Sequence, residues 1–341
     1  MSATLQDGDR LLKDVETLVA RIGQARDEIG RVIFGQREVV EQVLVTLLGG
    51  GHALLVGVPG LGKTLLVETL GTVLGLSPKR IQFTPDLMPA DITGSEVLDE
   101  VAEEAGPGQA AARRRSFRFI RGPVFCQLLM ADEINRASPR TQSALLQAMQ
   151  EGRVAVSGVD HPLPRPFHVL ATQNPIEQEG TYPLPEAQLD RFLLQVDVGY
   201  PDAEAERAML LATTGAEVPR ASRVLSGEEL MALQALVRRV PVGERVVEAI
   251  MRLVRGARPE TASAEEVRRH VAWGPGPRAA QALMLATRAR ALLDGRLAPS
   301  LEDVAALAHA VLRHRMALNF SARADGIVLS ELIDRLAGRL E

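Results

Sequence analysis

At 341 residues the chain is longer than one hydrophobic core usually spans, so a main domain of about 200 residues and a smaller companion are expected. Hydrophobic residues at 46% and charged residues at 24% exclude a disordered chain, and a formal net charge of −4 excludes an overall electrostatic bias toward nucleic acid or an anionic membrane. The single cysteine, Cys126, excludes an intrachain disulfide and a Cys-rich metal site, and its apolar surroundings mark it as an inert core thiol.

In chain order, Leu11, Leu12, Val15, Leu18, Val19, Ile22 and Ile29 form a helical stripe that predicts an amphipathic leading helix within residues 1–32. No basic segment followed by an apolar run opens the chain, and no stretch of 18 uninterrupted apolar residues occurs in it, which predicts a cytoplasmic protein without direct membrane insertion. Short apolar runs of strand type follow at Ala53–Val56, Gln127–Ala131, Val169–Thr172 and Phe192–Val198, separated by segments of helical period. That alternation predicts an α/β fold, a parallel sheet with helices on both faces, over residues 33–200.

One intervening helix is well punctuated, with Ser138 as its N-cap, Pro139 in its first turn, Thr141–Glu151 as its body and Gly152 as its stop. Residues 153–162 then read as a small hairpin. The stretch Asp99–Arg115, rich in Ala, Gly, Glu and Arg without a period, reads as an exposed loop. Past Pro201 the strand signals stop. Start signals at Ser226 with Glu229, Ser263 with Glu266 and Ser300 with Asp303 predict a small all-α domain over residues 223–341, joined through a linker over 201–222. The six histidines are scattered, and His309 with His314 lacks the spacing that puts two ligands on one helical face, so no transition metal is assigned.

Gly57-Val58-Pro59-Gly60-Leu61-Gly62-Lys63-Thr64 matches the P-loop pattern between the strand Ala53–Val56 and the helical segment Leu65–Leu74, the context that this motif requires. Backbone N–H groups of such a turn point at phosphates, the lysine neutralises the β and γ oxygens, and the threonine hydroxyl ligates Mg²⁺. Only three lysines occur, against 36 arginines, and one of them stands at position 63, where a flexible point charge is needed. Asp132 and Glu133 close the apolar run Leu128–Ala131, which places two carboxylates at the ligand-binding edge of a parallel sheet. Asp132 would hold the Mg²⁺ shell and Glu133 would polarise the attacking water. An arginine at position 191, directly before a strand, could stabilise a transferring phosphoryl group or form a surface ion pair, and Asn174 by itself reads as a turn residue before Pro175.

With Phe34-Gly35-Gln36, Asp132-Glu133-Ile134-Asn135-Arg136-Ala137, Ala171-Thr172-Gln173-Asn174-Pro175 and Leu189-Asp190-Arg191-Phe192, these motifs resemble the MoxR family of AAA+ ATPases over nearly all of residues 30–320. The resemblance implies a P-loop domain followed by a helical lid, with ATP and Mg²⁺ as cofactors. It implies nucleotide contacts from Phe34, Gly35, Gly57, Val58, Pro59, Gly60, Leu61, Gly62, Lys63, Thr64, Leu65 and Asp132, with Thr64 and Asp132 as the metal ligands. Val32, Ile33 and Phe34 resemble the segment that packs against adenine, which is compatible with core packing. Asn174 is similar to the sensor-1 residue that orients the lytic water, and Arg191 to the arginine finger that reaches a neighbouring subunit. Arg278 matches the sensor-2 position, although Pro275 and Gly276 stand where family members more usually have a small residue and Ser. Catalytic roles thus fall on Lys63, Glu133, Asn174, Arg191 and Arg278. Asp86–Gly94 followed by Phe117–Phe125 is similar to the family's helix-2 insert, and the hairpin at 153–161 to its pre-sensor-1 insert.

The resulting expectation is an ATPase that assembles with itself as a ring, a homohexamer, and remodels, matures or activates a protein client. Family resemblance points to a client with a von Willebrand factor A domain. No nucleic acid is expected as a partner, because Arg113-Arg114-Arg115 continues into no basic stripe and reads as a solvated loop. A nucleic-acid-dependent motor and an ATP-gated scaffold with little turnover are the alternatives. A guanine-specific switch lacks any Asn-Lys-x-Asp segment.

Overall fold

A strand sandwiched between two helical layers must be apolar on both faces, which is what the short Val/Leu/Ala runs supply. A computed structural model describes residues 2–102, 113–176, 180–215 and 219–340. The chain opens with α1 (Ser2–Gly30) and α2 (Arg37–Leu48), then passes through β1 (Ala53–Val56), α3 (Lys63–Val73), β2 (Pro78–Gln82) and the short α4 (Pro89–Thr93). A hairpin of β3 (Gly94–Ala102) and β4 (Arg113–Arg121) precedes β5 (Leu128–Asp132), a 3-10 turn at Ile134–Arg136 and α5 (Pro139–Glu151). A second hairpin, β6 (Arg153–Val156) and β7 (Val159–Pro162), leads to β8 (His168–Gln173), α6 (Glu186–Leu189), β9 (Leu194–Asp197) and α7 (Ala203–Thr213). The remainder holds α8 (Gly227–Val237), α9 (Glu244–Gly256), α10 (Glu265–His270), β10 (Val271–Trp273), α11 (Pro277–Leu293) and α12 (Leu301–Leu312). A 3-10 turn at Arg313–Arg315, β11 (Ala317–Leu318), α13 (Phe320–Ala324) and α14 (Leu329–Ala337) complete it.

Five strands form one parallel sheet in the order β2-β5-β8-β1-β9. Every residue of β5 is buried, whereas Ile81 is the one buried residue of β2. This edge strand was not anticipated from the sequence, because charged and polar residues on an edge conceal the alternation that marks a strand. One face of the sheet carries α1, α2, α3 and the C-terminal helices; the other packs Phe83, Ile92, Val124, Leu145, Leu146 and Phe192.

The helix predicted behind Ser138 forms as expected: the Ser138 hydroxyl accepts from the Thr141 N–H at 3.4 Å, and Gly152 closes it with φ +62°. The capping boxes at Ser226 with Glu229 and at Ser300 with Asp303 are both made. Ser263 does not cap; α10 begins after Ala264 without a side-chain cap. In α1, Ile22, Ala25 and Ile29 are fully buried with Leu18 and Val19 packed beside them, while the side chains of Leu11, Leu12 and Val15 lie outside the described residues.

Three further expectations need correction. The stretch read as an exposed loop, Asp99–Arg115, is strand at both ends: its first residues pair antiparallel with Arg113–Ser116, and Arg113-Arg114-Arg115 belongs to β4 rather than to a loop. Residues 103–112 lie outside the described residues. Charged residues grouped in runs, with Ala and Gly between them, leave no apolar period to detect. The C-terminal region is not purely helical, since β10 and β11 pair as a two-stranded antiparallel ribbon too short to leave a sequence signal. Residues 201–222, expected as a linker, contain α7, which Asp202 caps through the Ala205 N–H at 2.8 Å.

The two hairpins touch each other where the Phe119 and His161 rings stack at 4.0 Å. Ser157 and Gly158, with φ of +50° and +81°, make the tight two-residue turn of the second hairpin.

Candidate nucleotide site

The loop between β1 and α3 is shaped by its glycines. Gly60 and Gly62 have φ of +85° and +73°, values that side chains rarely tolerate, and a Cβ on Gly57 would sit 2.5 Å from the Val198 carbonyl oxygen. Helix α3 starts at Lys63 behind Gly62 with no side-chain cap, so its first N–H groups remain available to an anion. The Lys63 ammonium donates to the Gly57 and Val58 carbonyls at 2.6 and 2.9 Å. Burial pushes it below the ordinary lysine range, and the nearby Asp132 and Glu133 carboxylates oppose that shift.

Across a cleft of about 280 Å³ from Pro59–Thr64 stand Asp132, Glu133 and Asn174. Asp132 ends the buried β5, and both of its oxygens are engaged: Oδ1 accepts from the Thr172 hydroxyl at 2.5 Å, and Oδ2 accepts from Arg80 Nη2 at 2.5 Å and Nε at 3.2 Å. Glu133 lies in the left-handed region with φ +55°, unusual for a side-chain-bearing residue, and its N–H donates to Thr172 Oγ1 at 2.8 Å. Its Oε2 accepts from Gln82 Nε2 at 2.8 Å and Arg136 Nη1 at 2.9 Å. Asn174 is buried at the end of β8 and lines the cleft, and its Oδ1 accepts the Ile176 N–H at 3.1 Å. Its two readings, turn residue and cleft residue, therefore coexist.

Beyond the loop the cleft continues into a pocket of about 320 Å³ lined by Val32, Ile33, Phe34, Leu65, Tyr200 and Met209, which shares Pro59–Gly62 with it. Gly35 does not line that pocket but permits it: a Cβ there would meet Ala205 Cβ at 2.4 Å, and its φ is +68°. A polar cleft joined to an apolar pocket suits a triphosphate attached to a planar base. The Thr64 hydroxyl and the Asp132 carboxylate are hard oxygen donors bordering one cleft, so the donor set fits Mg²⁺.

Two expected site residues lie elsewhere, for neither Arg191 nor Arg278 borders the cleft. Arg191 Nη1 donates to the Leu146 carbonyl on α5 at 2.6 Å, and its Nε has no partner. Arg278, in the first turn of α11, stands 3.8 Å from Asp190 Oδ2 with about half its side chain exposed. Pro275, in the loop before it, accepts from Arg258 Nε at 2.7 Å. Sequence reasoning missed Arg80, Gln82, Thr172, Tyr200 and Met209 as lining residues. Arg80 and Gln82 flank the one buried residue of an edge strand, which was the available clue.

A P-loop after β1 and paired carboxylates after the neighbouring-but-one strand, on a five-stranded parallel sheet with a helical lid, define an AAA+ ATPase. Residues 52–194 match the model of the ATPase family associated with various cellular activities (AAA), and residues 263–336 match that of the AAA lid domain. Chaperone MoxR1 of Mycobacterium tuberculosis is 44% identical over 310 residues, covering 91% of this chain and 79% of that one. Protein MoxR of Methylorubrum extorquens is 30% identical, covering 92% of each. The crystal structure of a candidate ATPase from Cytophaga hutchinsonii superposes with a TM-score of 0.87 at 34% identity, covering 98% of both chains. The chain belongs to the MoxR family of AAA+ ATPases. No helix among the described residues is long and apolar enough to cross a membrane.

Proposed function

We propose that this protein is a Mg²⁺-dependent ATP hydrolase of the cytoplasm that works as a homohexameric ring and uses turnover to remodel, mature or activate a protein client. One observation carries the reading: Glu133, at the end of β5, faces the P-loop across the same cleft as Lys63, Thr64, Asp132 and Asn174. Thr64 and Asp132 are the residues that would hold Mg²⁺, which supplies charge neutralisation on the phosphates when bound. The P-loop N–H groups and Lys63 bind and orient the phosphates, Glu133 takes the proton of the attacking water, and Asn174 positions that water. The apolar pocket around Phe34 and Leu65 takes the base. Residues 33–200 form the catalytic unit and 223–341 the lid, with 201–222 between them, and Arg278 reports the nucleotide state to the lid.

Arg191 lies outside the cleft of its own subunit, which supports its action as a finger on a neighbour's phosphate and makes the ring part of the chemistry. Exposed Leu98, Phe117, Ile120 and Val159 on the two hairpins support contact with a protein client rather than with a nucleic acid. A relative named as a chaperone supports the same class of partner, and a von Willebrand factor A domain is the client that the family suggests.

Steady-state hydrolysis and ATP binding of the wild type and Glu133→Gln test the reading. Turnover by the wild type, with Glu133→Gln binding ATP but not turning it over, is expected. A wild type that binds ATP yet matches the variant at every protein concentration would replace hydrolysis with ATP-gated scaffolding. Strong stimulation by DNA would replace the protein client with a nucleic acid.

A further inference from the structure

Asp132 is the carboxylate that the metal needs, yet in this structure a guanidinium stands against it. Arg80 reaches from the edge strand β2, where its backbone pairs opposite Met130, and places Nη2 and Nε at 2.5 and 3.2 Å from Asp132 Oδ2. The Thr172 hydroxyl occupies the other oxygen. The burial of the two partners is unequal: the Asp132 side chain is 12% exposed, whereas that of Arg80 is 51% exposed. The carboxylate is thus fixed in place, and the arginine, on a flexible stem at the mouth of the cleft, is the partner free to withdraw. Gln82 Oε1 accepts from the same Nη2 at 3.0 Å and is a second acceptor for the guanidinium at the edge of the cleft. Arg80 borders the cleft together with Lys63 and Thr64, so its charge also faces the space where phosphates would lie.

We infer that Arg80 is a built-in stand-in for the metal. Its guanidinium neutralises Asp132 when no Mg²⁺ is bound, which lets the triphosphate enter without meeting an uncompensated carboxylate, and it gives way when Mg²⁺ takes the carboxylate. Arg80 is therefore a positioning residue that sets the order in which nucleotide and metal are accepted. The inference rests on the P-loop ATPase reading above. Two consequences of opposite sign follow. Removing the guanidinium weakens ATP binding without metal, because the phosphates then face the bare charge of Asp132. It also lowers the Mg²⁺ concentration needed at fixed ATP, because the metal no longer competes with an arginine.

The test measures affinity rather than turnover. Kd for ATP would be obtained by calorimetry in EDTA, and the Mg²⁺ midpoint by titration at fixed ATP, for the wild type, Arg80→Gln, Arg80→Lys and the double variant Arg80→Gln with Asp132→Asn. Arg80→Gln is expected to raise Kd in EDTA about tenfold, the scale of one uncompensated charge facing the phosphates across a solvated cleft, while the Mg²⁺ midpoint falls. Arg80→Lys, which keeps the charge, retains binding in EDTA, and the double variant recovers it because the charge to be neutralised is gone. Parallel weakening with and without Mg²⁺ would mark a merely structural residue and overturn the inference, as would a Kd in EDTA within about twofold of the wild type. If the wild type binds ATP in neither buffer, the ATPase reading itself fails and takes the inference with it.

Discussion

Arg315, buried, and Asp190, partly exposed, form an ion pair that joins the lid to the segment carrying Arg191. Arg315 Nε donates to Asp190 Oδ1 at 2.7 Å, and the remaining four guanidinium N–H positions reach the Val311 and Leu193 carbonyls from Nη1 and the Asp190 and Phe192 carbonyls from Nη2. The Arg315 side chain is 2% exposed. Burial lowers its tendency to carry charge, and Asp190 opposes that most strongly. All five donors are satisfied, which is the condition under which a buried arginine is tolerated.

Arg315→Ala removes the donor to the Asp190 carboxylate and to the Asp190 and Leu193 carbonyls, while His314 Nε2 stays 3.2 Å from the Phe192 carbonyl. It is expected to destabilise the fold by about 3–5 kcal/mol in chemical denaturation. Asp190→Asn, which keeps an acceptor of the same shape, should cost less. Equal and small effects from both would show that the pair contributes little and that apolar packing alone seats the lid.

A second prediction concerns Thr172. Its hydroxyl donates to Asp132 and accepts from the N–H of Glu133, and so fixes both carboxylate residues from the adjacent strand. Thr172→Val keeps the shape and removes both bonds. Hydrolysis should fall about 10- to 100-fold, as expected from about 1–3 kcal/mol for an unpaired buried group, with ATP affinity in EDTA little changed. A variant that loses nucleotide affinity and turnover together would place Thr172 in binding instead.

His52 and His168 give the acid dependence its sign. His168 Nδ1–H donates to the Gly51 carbonyl at 2.8 Å, and its Nε2 accepts from Gln234 of α8; His52 Nδ1 accepts the Val169 N–H at 2.9 Å. Burial holds His52 down to about 3 and His168 to about 4, from an ordinary value of 6.5. The unfolded chain therefore takes up protons below pH 6.5 that the fold refuses. Stability is full above that value and falls progressively toward the folded pKa values as the medium is acidified. Urea denaturation should show a loss on the order of 2 kcal/mol per histidine between neutrality and about pH 5. His168→Gln should flatten that slope; an unchanged slope would assign the acid sensitivity to other groups.

What was legible in the sequence was local. The P-loop, the Ser138–Gly152 helix and the two capping boxes depend on residues within a few positions of one another, and the buried strands announce themselves by composition. What was illegible depends on register. Arg80, Gln82 and Thr172 meet Asp132 and Glu133 only because β2 and β8 flank β5, and chain order does not reveal that neighbourhood. The β3–β4 ribbon and the β10–β11 pair escaped for a different reason: neither has a continuous apolar face to betray it.

The measurement that bears most directly on the shared-site account is ATP hydrolysis by a mixture of two variants. Lys63→Ala lacks its own phosphate-binding lysine but offers an intact Arg191, and Arg191→Ala has the opposite defect. Each alone should be inactive. Mixed at a concentration where rings form, they should recover measurable turnover, because some interfaces then combine an intact Lys63 with a neighbour's intact Arg191. A mixture as inactive as its components, with co-assembly demonstrated by size-exclusion chromatography, would contradict a site completed by the adjacent subunit.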